Sequence, residues 1–242
     1  MNVKRIAMWS GPRNLSTALM RSFASRNDCS AVDEPFYAAY LMATGFNHPM
    51  KDLILRCYNS DPKDVIEHCT ISEVPTKIQF QKHMTHHMLD IFDRSFVHLL
   101  SNAFLIRSPE KVVKSFGKKI VDFSFNDLGY IQQSELFDMI CDQTGRPPPV
   151  IDADDLCANP KTVLSKLCSK LGINYSDQML SWSSGPHSYD GVWGSYWYRS
   201  VNNSSRFAPT KPSLEIVSPL QKTIIDQANP FFERLNEYKI TG

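Results

Sequence analysis

Residues 6–17 read Ile-Ala-Met-Trp-Ser-Gly-Pro-Arg-Asn-Leu-Ser-Thr: a short apolar strand, a loop with one cation and two hydroxyls, and the start of a helix. Leu15, Ala18, Leu19, Phe23 and Ala24 recur at helical spacing, and Asn14 stands where an N-cap is expected. The first N–H groups of a helix lack partners inside it, and its dipole is positive there, so an anion fits at such a turn. A nucleoside-triphosphate loop would carry Gly-Lys before its Ser or Thr. Here four residues separate Gly11 from Ser16-Thr17, Arg13 comes early, and Leu15 stands where a permissive residue would be expected. The pattern argues against an ordinary ATPase or kinase, while a plain first strand-to-helix turn would look much the same.

Working outward, apolar runs of strand length recur at Ile6–Trp9, Ala31–Val32, Ile78–Phe80, Ala103–Ile106 and Val150–Ile151, each followed by turn residues and a longer helical pattern. Short buried strands alternating with helices predict a three-layer α/β/α fold with a mainly parallel central sheet, whose ligands lie beyond the carboxyl ends of the strands. Arg107 follows one such strand. Ser108-Pro-Glu110 then opens a helix that continues through Val112, Val113 and Phe116. Asp152-Ala-Asp-Asp-Leu follows another strand, before a helix from about Pro160 to Leu171 closed by Gly172. A last helix is predicted from Pro219 to Tyr238, with Pro230 as a restart or kink.

The chain has 242 residues, enough for a large core and best read as one domain, 1–242. Its 26 Lys and Arg against 25 acids create no global field toward nucleic acid or membrane, so any anion site is local. No membrane span or signal-peptide core is legible. Six scattered cysteines without a Cys-x-x-Cys pair suit reduced, buried thiols and a cytoplasmic location.

Taken in order, three segments resemble the sulfotransferase family: Ser10–Thr17; Ile106 to Ser115, with Arg107 eight residues before Ser115; and Asp154-Asp155-Leu156 with Asn159-Pro160 and Leu171-Gly172. The resemblance covers about two thirds of the chain and is closest to small bacterial-type members with a Trp-Ser-Gly-Pro-Arg loop. It implies a P-loop NTPase-like fold, the donor 3′-phosphoadenosine 5′-phosphosulfate (PAPS), and sulfuryl transfer to a hydroxyl or amine of a small-molecule acceptor. The first segment would then be the 5′-phosphosulfate loop, with Arg13, Asn14, Leu15, Ser16 and Thr17 on the donor, although many members have Lys and Gly at the places of Arg13 and Leu15. Arg107 and Ser115 would hold the 3′-phosphate, consistent with a guanidinium's paired grip on phosphate oxygens. No metal is expected. Departing from the pattern, residues 41–75 and 121–147 carry no motif and are the expected acceptor side.

In-line transfer needs cations and N–H donors at the leaving oxygen and a base at the acceptor. Arg13 and Thr17 suit the first task. Glu34, in Asp33-Glu34-Pro35-Phe36 after a short strand, suits the second, although acids before Pro also begin helices. His83, in Lys82-His83-Met84, is the rival base, resembling a Lys-Thr-His element of the family; His86 and His87 are further alternatives, and His83 with His87 could share a helix face. The aromatic, Ser-rich stretch within residues 182–212 takes the place of the family's covering loop. There Trp197 could stack on the base, and Ser204, Ser205 and Arg206 could close over phosphate. Two other functions compete: a nucleotide kinase or hydrolase on the same sheet, and a non-catalytic protein binding 3′-phosphoadenosine 5′-phosphate (PAP).

Overall fold

The structure, a computed structural model, describes residues 3–209 and 216–241. Residues 210–212 of the expected covering loop lie outside them.

Chain order is β1 (Lys4–Ser10), α1 (Ser16–Ala24), β2 (Cys29–Asp33), α2 (Tyr37–Thr44), α3 (Lys51–Cys57), α4 (Pro62–Thr70) and β3 (Ile78–Met84). There follow β4 (Ser101–Ile106), α5 (Pro109–Gly117), α6 (Tyr130–Thr144), β5 (Val150–Asp152), α7 (Ala153–Ala158) and α8 (Pro160–Leu171). Two single-turn helices, α9 (Gly194–Trp197) and α10 (Arg199–Asn202), precede α11 (Pro219–Asn236). The strands form one parallel sheet in the order β2-β3-β1-β4-β5. The predicted α/β architecture with a parallel central sheet is the one observed.

Strand side chains alternate between faces, so one strand feeds two cores. Ile6 and Met8 of β1 join Leu19, Phe23, Phe80, Leu105, Leu164 and Leu167 under α1 and α8. Ala7 and Trp9 join Phe104, Ile106, Leu136, Phe137 and Ile140 under α6. Both faces are covered, which is why the strands read as continuous apolar runs. All five strands point their carboxyl ends the same way, and that edge carries the site.

Three local expectations change. Leu15, not Asn14, is the N-cap residue of α1; Asn14 instead sends its side-chain amide to the Leu105 carbonyl, 3.2 Å away. β3 runs through His83 to Met84 and only a single turn, Thr85–His87, follows, so His83 and His87 share no helix face. Pro230 lies inside α11, which ends at Asn236. The six cysteines are unpaired and four of them are buried. Among the described residues no helix is long and apolar enough to cross a membrane.

Candidate functional site

A cavity of about 770 Å³ opens along the carboxyl edge of the sheet, lined from the tips of β1, β2, β3 and β4 and closed over by residues 197–208. That volume lies within the range that holds a nucleotide-sized ligand.

At one end is the loop after β1. Gly11 is needed there because a Cβ would stand 2.6 Å from the Leu128 carbonyl oxygen. Arg13 and Leu15 both have left-handed backbones, at φ 63° and 65°, a conformation that costs a side-chain-bearing residue roughly 1–2 kcal/mol. Tertiary contacts hold them: Arg107, just past β4, donates from Nη1 to the Arg13 carbonyl at 2.7 Å, and Asn14 is tied to β4 as described above. The first hydrogen bond of α1 runs from Leu19 N to Leu15 O, so the amides of Ser16, Thr17 and Ala18 are left without partners in the helix. Arg13 Nε donates to Ser115 Oγ of α5 at 3.0 Å, joining the two sequence motifs in one cluster.

This cluster is cationic. Burial first, and the neighbouring Arg107 second, disfavour the charge on Arg13 and lower its pKa from the ordinary arginine value. Among the described residues no carboxylate pairs with either arginine. Arg107 is 8% exposed and its Nε has no hydrogen-bond partner. Two guanidinium groups, Arg107 buried and Arg13 half-buried, and a helix start lining one cavity make a seat for an anion with separated charges.

In the middle of the cavity, Glu34 follows β2 with a left-handed backbone, φ 42°. Its Oε1 accepts from Lys82 Nζ at 2.5 Å, and Lys82 also donates to Asp33 Oδ1 at 2.8 Å. Burial is the main force raising the Glu34 pKa; Lys82 opposes it and Asp33 reinforces it. Tyr198 reaches in from the covering loop, and its hydroxyl meets Lys82, Asp33 and Thr17.

The far end is aromatic. Tyr37, Tyr40, Phe46, His48, His86 and His87 line it. His87 stacks between Tyr37 and Tyr40, at ring-centroid distances of 4.6 and 4.7 Å, and His48 Nδ1 lies 3.0 Å from the Tyr37 hydroxyl. Burial pushes His86 down to about 3 and His87 well below the ordinary histidine value, so both imidazoles are neutral near pH 7. Each leaves its Nδ1 unpaired. At the mouth stand Lys119, Asp122, Phe123 and Asp127.

Arg13, Leu15, Ser16, Thr17, Glu34, Arg107, Ser115, Trp197 and Ser204 line this one cavity, with Ser200 and Arg206. Asn14 does not; it is buried behind the loop. His83 lies apart, stacked on Trp9 at 4.4 Å and paired with Gln81, because it alternates with Lys82 to the opposite face of β3. Ser205 does not line the cavity either; its carbonyl accepts from Trp182 N. Of the acceptor-side segments, residues 46–49 and 122–127 reach the wall, whereas α3, α4 and α6 contribute no lining. Sequence reading missed Lys82, Tyr198 and Trp182. Trp182 packs edge-on against Phe207, 5.0 Å between centroids, and its buried indole N–H has no partner. The sequence signal for Lys82 was a charged residue inside an otherwise buried strand.

Comparison with known proteins bears on the family and the fold. The family model described as "Sulfotransferase domain" matches residues 4–238. Among curated proteins, "Branched-chain-amino-acid aminotransferase-like protein 1" of Arabidopsis thaliana is 35% identical over 233 residues, 96% of this chain. The chain spans 42% of that relative's length, so the relative's name describes a much longer protein. Two solved structures share the fold at 13% identity and a TM-score of 0.57. One is the sulfotransferase domain from the Synechococcus PCC 7002 olefin synthase, covering 94% of this chain and 95% of that one. The other is a sulfotransferase from Alicyclobacillus acidocaldarius, covering 98% and 96%.

Proposed function

We propose that this chain, which belongs to the sulfotransferase family, is an enzyme that moves a sulfuryl group from PAPS to a hydroxyl or amine of a small-molecule acceptor. The carrying observation is the joined pair of anion seats. The amides of Ser16 and Thr17 with Arg13 form one, Arg107 and Ser115 form the other, and they are linked by Arg13–Ser115 and Arg107–Arg13 hydrogen bonds at 3.0 and 2.7 Å. A nucleotide with a 5′ sulfated phosphate and a separate 3′-phosphate has charges to match both; a triphosphate has no use for the second.

The orphaned Arg107 Nε and Trp182 Nε1 are the donors such a nucleotide would satisfy. On this assignment Arg13, Thr17 and the loop amides stabilise the charge that grows on the leaving oxygen. Glu34 takes the acceptor's proton, since its raised pKa brings a carboxylate toward the working pH of a base. The neutral imidazoles and tyrosines of the far wall hold the acceptor.

The test is thermal denaturation of the purified chain with PAP or with ATP. A ligand that binds only the folded state raises the melting point. Stabilisation by PAP and not by ATP is expected. The reverse preference would sink the proposal in favour of a triphosphate enzyme.

A further inference from the structure

Lys82 is 1% exposed, in register beside Asp33 on the adjacent strand, and its charge is not consumed by either anion seat. An ammonium has three donors, and all three are used: Asp33 Oδ1 at 2.8 Å, Glu34 Oε1 at 2.5 Å and the Tyr198 hydroxyl at 2.6 Å. The Tyr198 hydroxyl accepts a second bond from Trp193 Nε1 at 3.0 Å and lies 2.7 Å from Asp33 Oδ2, which also accepts from Gly191 N at 2.9 Å. Both oxygens of Asp33 are therefore engaged. Glu34 is not: its side-chain contacts, Lys82 and a longer one to Tyr198, both fall on Oε1. Of the two adjacent carboxylates, one is locked into structure and the other keeps an oxygen for chemistry.

We propose that Lys82 is a positioning residue which, clamped by Asp33 and by Tyr198 of the covering loop, holds the Glu34 carboxylate charged and turned with Oε2 free for the acceptor. The base is then complete only when residues 191–198 are docked on Asp33. The inference rests on the assignment of Glu34 in the proposed function. Its physical basis is the charge count: two buried carboxylates share one ammonium, so without Lys82 one of them would take up a proton. The groups facing Glu34 are Asp33 from β2, Lys82 from β3, Tyr37 from α2 and Tyr198 from the loop, with His87 close to Lys82. Among these the only cation is Lys82.

The experiment follows the Glu34 carboxyl carbon by NMR in protein labelled with ¹³C-glutamate, assigned by its loss in Glu34→Gln. Lys82→Met alone would strand Asp33, so Asp33→Asn is compared with the double variant Asp33→Asn/Lys82→Met. The expected result is a Glu34 titration midpoint at least one pH unit higher in the double variant than in Asp33→Asn. Coincident midpoints would overturn the role of Lys82. So would a midpoint above pH 8 in the unmodified protein, whatever the variants do, because Glu34 would then be protonated beside an intact Lys82. PAP stabilisation is measured on the same samples. Its absence from the unmodified protein would defeat the sulfuryl-transfer proposal and leave the titration comparison standing. Its presence with coincident midpoints would defeat Lys82 alone.

Discussion

Replacing Arg107 with Ala removes the guanidinium that bridges the tip of β4 and the loop after β1. Its Nη1 is committed to the Arg13 carbonyl, which leaves Nε and Nη2 as a side-on fork for a phosphate. Two charge-assisted bonds at about 1.5–3 kcal/mol each, less about 1 kcal/mol for relief of repulsion with Arg13, make the net loss about 2–5 kcal/mol. That is a fall in PAP affinity of about 30- to 5,000-fold. At PAP about 100 times the starting Kd, stabilisation of about 2.7 kcal/mol should drop below about 0.9 kcal/mol. For a chain of this size the melting shift should shrink from about 5–11 °C to under about 4 °C. The assay is a melting curve with and without PAP for the unmodified chain, Arg107→Ala and Arg107→Lys. Lys keeps the charge without the fork and should fall between the other two. A full PAP shift in Arg107→Ala would refute the assignment of the second anion seat.

Glu34→Gln should leave PAP stabilisation unchanged while slowing transfer by about 10²- to 10⁴-fold, measured as turnover once an acceptor is in hand; undiminished turnover would remove Glu34 as the base. Trp182→Ala should weaken PAP by about 1–3 kcal/mol if the indole meets the base, without changing the affinity for pyrophosphate measured by calorimetry. His83 titrates at about 3 in the fold because it is buried. With an ordinary unfolded value near 6.5, its contribution is intact above about pH 6.5 and is lost as pH falls toward 3, reaching about 2.7 kcal/mol at pH 4.5. His83→Phe should flatten the acid limb of the stability curve by that amount, and an unchanged limb in urea melts would contradict it.

How the site becomes legible differs from residue to residue. Arg107 and Ser115 sit on one strand–helix unit, so their spacing could be read from the chain, as could the loop Arg13–Thr17 at a helix start. Asn14 has the chemistry of a cap but is not one, because the residue that ends the loop, Leu15, adopts a left-handed backbone that its side chain would normally resist. His83 and Lys82 are neighbours in the chain, yet the pleat sends the two to opposite faces, and the lysine is the one that reaches the cavity.

The sequence by itself determined the alternation of strands and helices, the parallel sheet and the strand-to-helix turns that carry Arg13 and Arg107, since each depends on local hydrophobic period and turn chemistry. Only the tertiary structure decided that Asp33, Glu34, Lys82 and Tyr198 meet. Those contacts join residues 49, 48 and 116 positions from Lys82. They exist because β3 lies between β2 and β1 and because the covering loop folds back over the strand tips. Strand order and loop docking are set by how whole faces pack, and no local pattern in the chain records them.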